Sequence, residues 1–360
     1  MKQKIVAAVS VACAIGAVLA LLLSPNPALA NCQIDQVAEI PIEFVANQVI
    51  ASGEVNGQSV RVLVDTGSGQ SVIWRPAASR LGLLLGSAPG GAHLYGIGGE
   101  SRLETTVIKE LHFGAFVVKD LRIPVAGDLQ SGFELLLGDE FWSVTSLEFD
   151  IKHRVLRMLS PKGCRVGELA YWAKTYSMAD LIASPRDARK IEVEVRLNGR
   201  ALRAQIDSGA ARSVVSKSQA DAMGVSYQST GTHVVGLGTR SLESWVGTFQ
   251  NFSIGDEVIN NVQLRIAQLD KNMKTEKLGS RLPVAAVTGP EMLLGADFLQ
   301  AHRVLIDNSS RKIVFTYEGG PVFMTSDAGQ LSASTPPTPP PTSPGNSAAA
   351  VAPASDSHEP

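Results

Sequence analysis

Two acidic tripeptides hold the chemistry this sequence most plainly offers. They are Asp65-Thr66-Gly67 and, 142 residues later, Asp207-Ser208-Gly209. Each Asp closes an apolar run, Val60-Arg61-Val62-Leu63-Val64 before the first and Leu202-Arg203-Ala204-Gln205-Ile206 before the second. An acid at the end of a buried strand is costly to desolvate unless something pairs with it or uses it. Two carboxylates close enough to share a proton do not both ionise cheaply, so their titrations split. The ionised member can then take a proton from a bound water while the protonated member polarises a carbonyl. Thr66 and Ser208 supply hydroxyls that can tie two such loops together. Gly67 and Gly209 leave room for close backbone approach.

The elements that must position these acids are themselves duplicated. At the same offset, Asn56-Gly57-Gln58-Ser59-Val60-Arg61 aligns with Asn198-Gly199-Arg200-Ala201-Leu202-Arg203, Ser71-Val72 with Ser213-Val214, and Gly82 with Gly224. Further on, His93-Leu94-Tyr95-Gly96-Ile97-Gly98 matches His233-Val234-Val235-Gly236-Leu237-Gly238, and Leu136-Leu137-Gly138 matches Leu293-Leu294-Gly295. A single D-[ST]-G is ordinarily a plain turn, because Asp, Ser and Gly all favour turns. Several landmarks in one order, twice, mean two homologous lobes. Asn-Gly between alternating apolar runs predicts a hairpin in each half. Short helices are predicted at Ala77–Leu81 and Gln219–Met223, each stopped by a Gly. Period-2 patterns at Phe116–Ile123 and Val258–Ile266 predict strands, and short strands with Gly and Asn turns predict barrel-like lobes. Ser160–Lys190 carries no landmark and is expected to link the lobes, with a helix over Tyr171–Ile182.

The chain has 360 residues and a net charge of −2. That length accommodates two domains of ordinary size, and the charge balance disfavours nucleic acid as the main partner. Lys2 and Lys4 precede an uncharged apolar run from Ile5 to Leu23, and Ala28-Leu29-Ala30 is an A-x-A cleavage pattern. This predicts a signal peptide over 1–30 and an exported protein, periplasmic or extracellular. The rival is an uncleaved membrane anchor, since the run approaches the length of a span. Leu29-Ala30-Asn31-Cys32 also partly matches a lipoprotein box, although Asn31 stands where such boxes carry a small residue. Beyond that segment Cys32 and Cys164 are the two cysteines, an even number that permits one disulfide; two buried thiols are the alternative. The six His are scattered, and no metal motif, P-loop, nucleophile elbow or dinucleotide fingerprint occurs. No cofactor is expected. From Ser332 onward the chain is Ser-, Thr-, Ala- and Pro-rich and cannot bury a core.

In their order and duplication these motifs resemble the retropepsin-like aspartic proteases. Asp65-Thr66-Gly67-Ser68-Gly69 and Asp207-Ser208-Gly209-Ala210 look like the two catalytic loops. Gly96-Ile97-Gly98-Gly99 is similar to a flap, and Gly236-Leu237-Gly238-Thr239 is a weaker copy. Leu135-Leu136-Leu137-Gly138-Asp139-Glu140-Phe141 and Met292-Leu293-Leu294-Gly295-Ala296-Asp297-Phe298-Leu299 look like the segment packed behind each loop. The resemblance implies an all-β fold of two tandem closed-barrel lobes, a pseudo-twofold aspartic protease in one chain. Its parts would be a signal peptide (1–30), an N-terminal lobe (31–160), a linker (161–188), a C-terminal lobe (189–320) and a disordered tail (321–360). It implies Asp65 and Asp207 as the catalytic pair, supported by Thr66, Gly67, Ser208 and Gly209. It implies Tyr95, Gly96, Ile97, Gly98, Gly99, Gly236, Leu237 and Gly238 as flaps over a peptide or protein substrate. Both half-sites lie in one chain, so a monomer is expected, touching a membrane only through an uncleaved N-terminus or a lipid on Cys32. The rival reading is a non-catalytic peptide-binding module on the same fold. It is kept open by the second lobe's extra residues around Gln268 to Pro290 and by Thr239 where the first flap has Gly99.

Overall fold

The computed structural model describes residues 31–87, 93–96, 99–127, 132–183, 190–236, 241–269 and 290–323. The predicted signal peptide and the predicted tail from 324 onward lie outside these residues. In the first half the elements are β1 (Gln33–Val45), β2 (Gln48–Val55), β3 (Gln58–Val64), β4 (Val72–Trp74), α1 (Arg75–Arg80), β5 (Gly86–Ser87), β6 (His93–Gly96), β7 (Gly99–Arg102), β8 (Glu104–Phe113), β9 (Phe116–Ala126), β10 (Leu135–Leu137), α2 (Asp139–Trp142), β11 (Ser146–Asp150) and β12 (Val155–Lys162). Then come α3 (Val166–Leu169) and β13 (Ser177–Ile182). The second half holds β14 (Glu192–Leu197), β15 (Arg200–Ile206), β16 (Val214–Ser216), α4 (Lys217–Ala222), β17 (Tyr227–Val235), β18 (Ser241–Ile254), β19 (Glu257–Ala267), β20 (Met292–Leu294), α5 (Ala296–Ala301), β21 (His302–Asp307) and β22 (Lys312–Tyr317).

Each half closes a six-stranded ring. In the first, β2 pairs with β3, β3 runs parallel to β10, β10 is antiparallel to β4, β4 is parallel to β9, and β9 returns through β8 to β2. The second repeats this circuit as β14, β15, β20, β16, β19, β18 and back to β14. Closure removes exposed strand edges. The turns joining β2 to β3 and β14 to β15 explain why Asn-Gly recurs. Asn56 and Gly57 have φ of 51° and 77°, as do Asn198 and Gly199. That positive-φ pair is what a two-residue hairpin turn matched to strand twist requires.

A third sheet joins the halves, in the order β13, β22, β21, β11, β12, β1. Its central contact is between lobes: Leu147, Glu148 and Phe149 of β11 pair antiparallel with Ile306, Leu305 and Val304 of β21. Above it, Phe113, Trp142 and Phe149 are buried in one half and Phe249, Phe252, Phe298 and Phe315 in the other. Burying each such side chain stabilises by about 1.5–3 kcal/mol. Trp142 also satisfies its indole N–H on the Leu137 carbonyl at 2.9 Å.

Several expectations need correction. The helix expected over Tyr171–Ile182 is absent; Ser177–Ile182 is strand β13, paired with β22 and β14. The reason is tertiary: open edges of two sheets meet there, and the segment satisfies both. The segment expected to link the lobes therefore contributes a strand to the sheet between them. Phe323, inside the segment expected as a tail from 321, packs against Phe252 with ring centroids 5.0 Å apart. The short helices start two residues and end one residue earlier than the pattern suggests, at Arg75–Arg80 and Lys217–Ala222.

Candidate active site

Asp65 and Asp207 leave the ends of β3 and β15, held by N–H bonds to Leu137 and Leu294 carbonyls at 3.1 and 2.9 Å. Each carboxylate turns back on its own loop. Asp65 Oδ1 accepts from the N–H groups of Gly67 and Ser68 at 2.8 and 2.9 Å. Asp207 Oδ1 accepts from Gly209 and Ala210 at 3.0 and 2.9 Å. The Asp-x-Gly order thus sets the acid's orientation locally, in the manner of an Asx turn.

The two loops meet through Thr66 and Ser208, which are 2% and 0% exposed. Thr66 N–H donates to Ser208 Oγ at 3.0 Å, and Ser208 N–H donates to Thr66 Oγ1 at 3.1 Å. Thr66 Oγ1 then donates to the Ile206 carbonyl at 2.9 Å, and Ser208 Oγ to the Val64 carbonyl at 2.7 Å. Four buried hydrogen bonds fix the register between the halves. The glycines make the approach possible: a Cβ on Gly67 would lie 2.3 Å from Asp207 Cγ, and one on Gly209 would lie 2.4 Å from Asp65 Cγ. The loops therefore cross with each glycine stacked on the opposite acid.

The two buried carboxyls act on each other electrostatically across the crossed loops. Burial, then the charge of Asp207, pushes Asp65 well above the usual carboxylate range. Burial also raises Asp207, opposed by the Ala210 and Gly209 N–H groups and the Asp65 hydrogen bond. Two buried carboxyls held this close do not both ionise cheaply.

Behind each loop sits a matched support. Gly138 N–H donates to Ser71 Oγ at 3.0 Å and Gly295 N–H to Ser213 Oγ at 2.9 Å. Ser71 N–H donates to Glu140 Oε1 at 2.6 Å, and Ser213 N–H to Asp297 Oδ1 at 2.9 Å. Sequence reasoning aligned these serines without assigning them a role and passed over Glu140 and Asp297. The available signal was an acid two places after Leu-Leu-Gly in both halves. A Cβ on Gly138 or Gly295 would meet the Gln70 or Arg212 backbone carbonyl carbon at 2.5 or 2.4 Å, so both positions need glycine. Cross-lobe amides that the sequence did not single out complete the frame: Gln48 Nε2 donates to the Gly209 carbonyl at 3.2 Å, and Gln205 Nε2 to the Gly67 carbonyl at 2.7 Å.

A model of the family described as "Aspartyl protease" matches residues 51–141 and 193–298. The chain belongs to the aspartyl protease family. The two matches fall one on each lobe and together cover more than half of the sequence. No curated protein matches the chain. Where the first flap is expected, β6 pairs with β7 as a hairpin, Tyr95 opposite Glu100 and Gly96 opposite Gly99. Its tip, Ile97-Gly98, lies outside the described residues. In the second lobe β17 and β18 pair up to Val235 and Ser241, and Gly236 follows β17; Leu237 and Gly238 lie outside the described residues. Cys32 and Cys164, away from the acids, form a disulfide with a Cα–Cα distance of 4.2 Å.

Proposed function

We propose that the protein is an exported aspartic endopeptidase, acting as a monomer on extended peptide held between its two lobes. The observation that carries this is the crossing of the Asp65 and Asp207 loops, which sets each loop's glycine against the opposite acid, with Asp65 raised well above its ordinary range by burial and the charge of Asp207. One acid stays protonated where the other is ionised, which is the division of labour that peptide hydrolysis needs. The ionised carboxylate takes a proton from water as the water oxygen adds to the peptide carbon. The neutral carboxyl gives its proton to the carbonyl oxygen. Collapse returns that proton to its acid and delivers the other to the leaving amine, breaking the C–N bond. The hairpins of β6–β7 and β17–β18 are the flaps that would cover the substrate. Export is supported by the Cys32–Cys164 disulfide, which persists in oxidising compartments.

The test is incubation of the purified chain from residue 31 with a peptide library from acid to neutral pH, beside Asp65→Asn and Asp207→Asn. Cleavage by the wild type alone supports the reading; binding of peptides without cleavage would replace it with a non-catalytic module. Activity per molecule should stay constant on dilution, because both half-sites lie in one chain.

A further inference from the structure

The two halves differ at the one place where symmetry matters for a shared proton. Gln48, at the start of β2, and Lys190, just before β14, are related by the same 142-residue offset that relates Thr66 to Ser208. Gln48 is neutral and donates directly to the Gly209 carbonyl. Lys190 is half-buried and donates instead to Gln205 Oε1 at 3.4 Å, while the Gln205 amide donates onward to the Gly67 carbonyl. Gln205 is 4% exposed, and its own counterpart at the same offset is Leu63, which makes no such relay. One half therefore places a cation beside the crossing loops and the other an uncharged amide.

We infer that Lys190, held by Gln205, is the positioning residue that breaks the symmetry of the acid pair, leaving the proton on Asp65 and making Asp207 the base. The inference rests on the peptidase reading above. The relay from Lys190 through Gln205 ends on the Gly67 carbonyl, and Gly67 lies against the Asp207 carboxyl, so the Lys190 charge favours the Asp207 carboxylate; for Asp65 the charge that bears is Asp207 itself, which favours the neutral acid. The other ionisable groups packed against the loops are Asp139 and Glu140 behind the first and Arg212 and Asp297 behind the second. Glu140 and Asp297 are engaged with Ser71 and Ser213 respectively. In the reaction Asp207 accepts the proton of the attacking water and Asp65 donates to the carbonyl oxygen.

The experiment compares wild type with Lys190→Gln, Lys190→Arg and the exchange Gln48→Lys/Lys190→Gln. Aspartate carboxyl 13C shifts are titrated in each, with Asp65→Asn and Asp207→Asn for assignment. The acid limb of kcat/KM is followed in parallel. Lys190→Gln should move the lower titration and the acid limb up by about 1 pH unit, the size expected for losing a nearby opposite charge. Lys190→Arg should restore both. The exchange should make Asp65 the lower-titrating acid. Wild-type and Lys190→Gln carboxyls titrating alike would overturn the inference. The carboxyl titration needs no substrate, so it decides the inference even if the wild type cleaves nothing, an outcome that would count against the peptidase reading alone.

Discussion

Thr66 and Ser208 are hydrogen-bonded to each other twice, each backbone N–H donating to the other's hydroxyl oxygen, at 3.0 and 3.1 Å. Each hydroxyl thereby accepts once and donates once, the donation going to a carbonyl of the opposite strand. Removing either hydroxyl strands two buried partners. Thr66→Ala and Ser208→Ala should each lower stability by about 1–3 kcal/mol. Thr66→Ser, which keeps the hydroxyl, should cost little. Urea denaturation of the three variants checks this, and the alanine variants should lose peptidase activity as well because the acids are no longer held in register.

The glycines that cross the opposing acids should tolerate no side chain. A Cβ at Gly67 would sit 2.3 Å from Asp207 Cγ, far inside any contact distance. Gly67→Ala and Gly209→Ala should abolish cleavage, with a drop in Tm that reflects separation of the two loops. Gly57→Ala is the control, since nothing lies within 4 Å of that Cβ and its cost comes from the positive φ alone.

Asp65→Asn and Asp207→Asn should each reduce cleavage by roughly a thousandfold or more, because acid and base act as a unit. Their effect on stability has the opposite sign at neutral pH. Asp65 has a folded pKa raised well above its unfolded value. Its contribution to stability is full below the unfolded pKa and is lost as pH rises through the folded one. Thermal denaturation should therefore show Asp65→Asn more stable than wild type at neutral pH, with the gap closing in acid. Activity of the wild type should fall on the alkaline side as Asp65 loses its proton.

Glu148 is 0% exposed on β11, beside the strand pairing that joins the lobes. It accepts from Arg157 Nη1 at 2.6 Å, from Arg303 Nη2 at 2.7 Å and from the Tyr171 hydroxyl. Burial, then the hydrogen bond to Glu148, pushes the Tyr171 phenol up to about 12. Glu148→Gln removes one of the two anions that Arg157 and Arg303 share, Asp150 being the other, and should cost about 1–3 kcal/mol. Ultraviolet titration should show Tyr171 ionising at lower pH in that variant, and chemical denaturation should show the loss of stability.

The Cys32–Cys164 bridge spans a sequence separation of 132 and ties the start of β1 to the segment after β12. In the chain-entropy model a loop of that size contributes up to about 4–5 kcal/mol. Cys32→Ser/Cys164→Ser should lower Tm while leaving kcat/KM at low temperature near wild type, because the bridge is remote from the acids. Intact mass of the protein with and without reductant checks the bond itself; two free thiols or a diacylglyceryl mass on Cys32 would refute it.

Much of this protein was legible as sequence because its signals are local or repeated. Asp-Thr/Ser-Gly dictates a carboxylate turned onto its own loop, Asn-Gly dictates the positive-φ hairpin turns, and alternation dictates β9 and β19 as strands. Duplication at one offset dictated two lobes and paired acids. Only the tertiary structure decided which groups cross between the halves. Ser177–Ile182 became a strand because β22 and β14 offered it partners, a contact that no helical or strand periodicity within the segment encodes. Gln48, Gln205 and Lys190 read as ordinary polar residues, and acquire meaning only when folding brings Gln48 to a carbonyl 161 residues away and Gln205 to one 138 residues away. Local pattern fixes a residue's backbone and face, whereas which partner a side chain meets depends on how the two lobes close on each other.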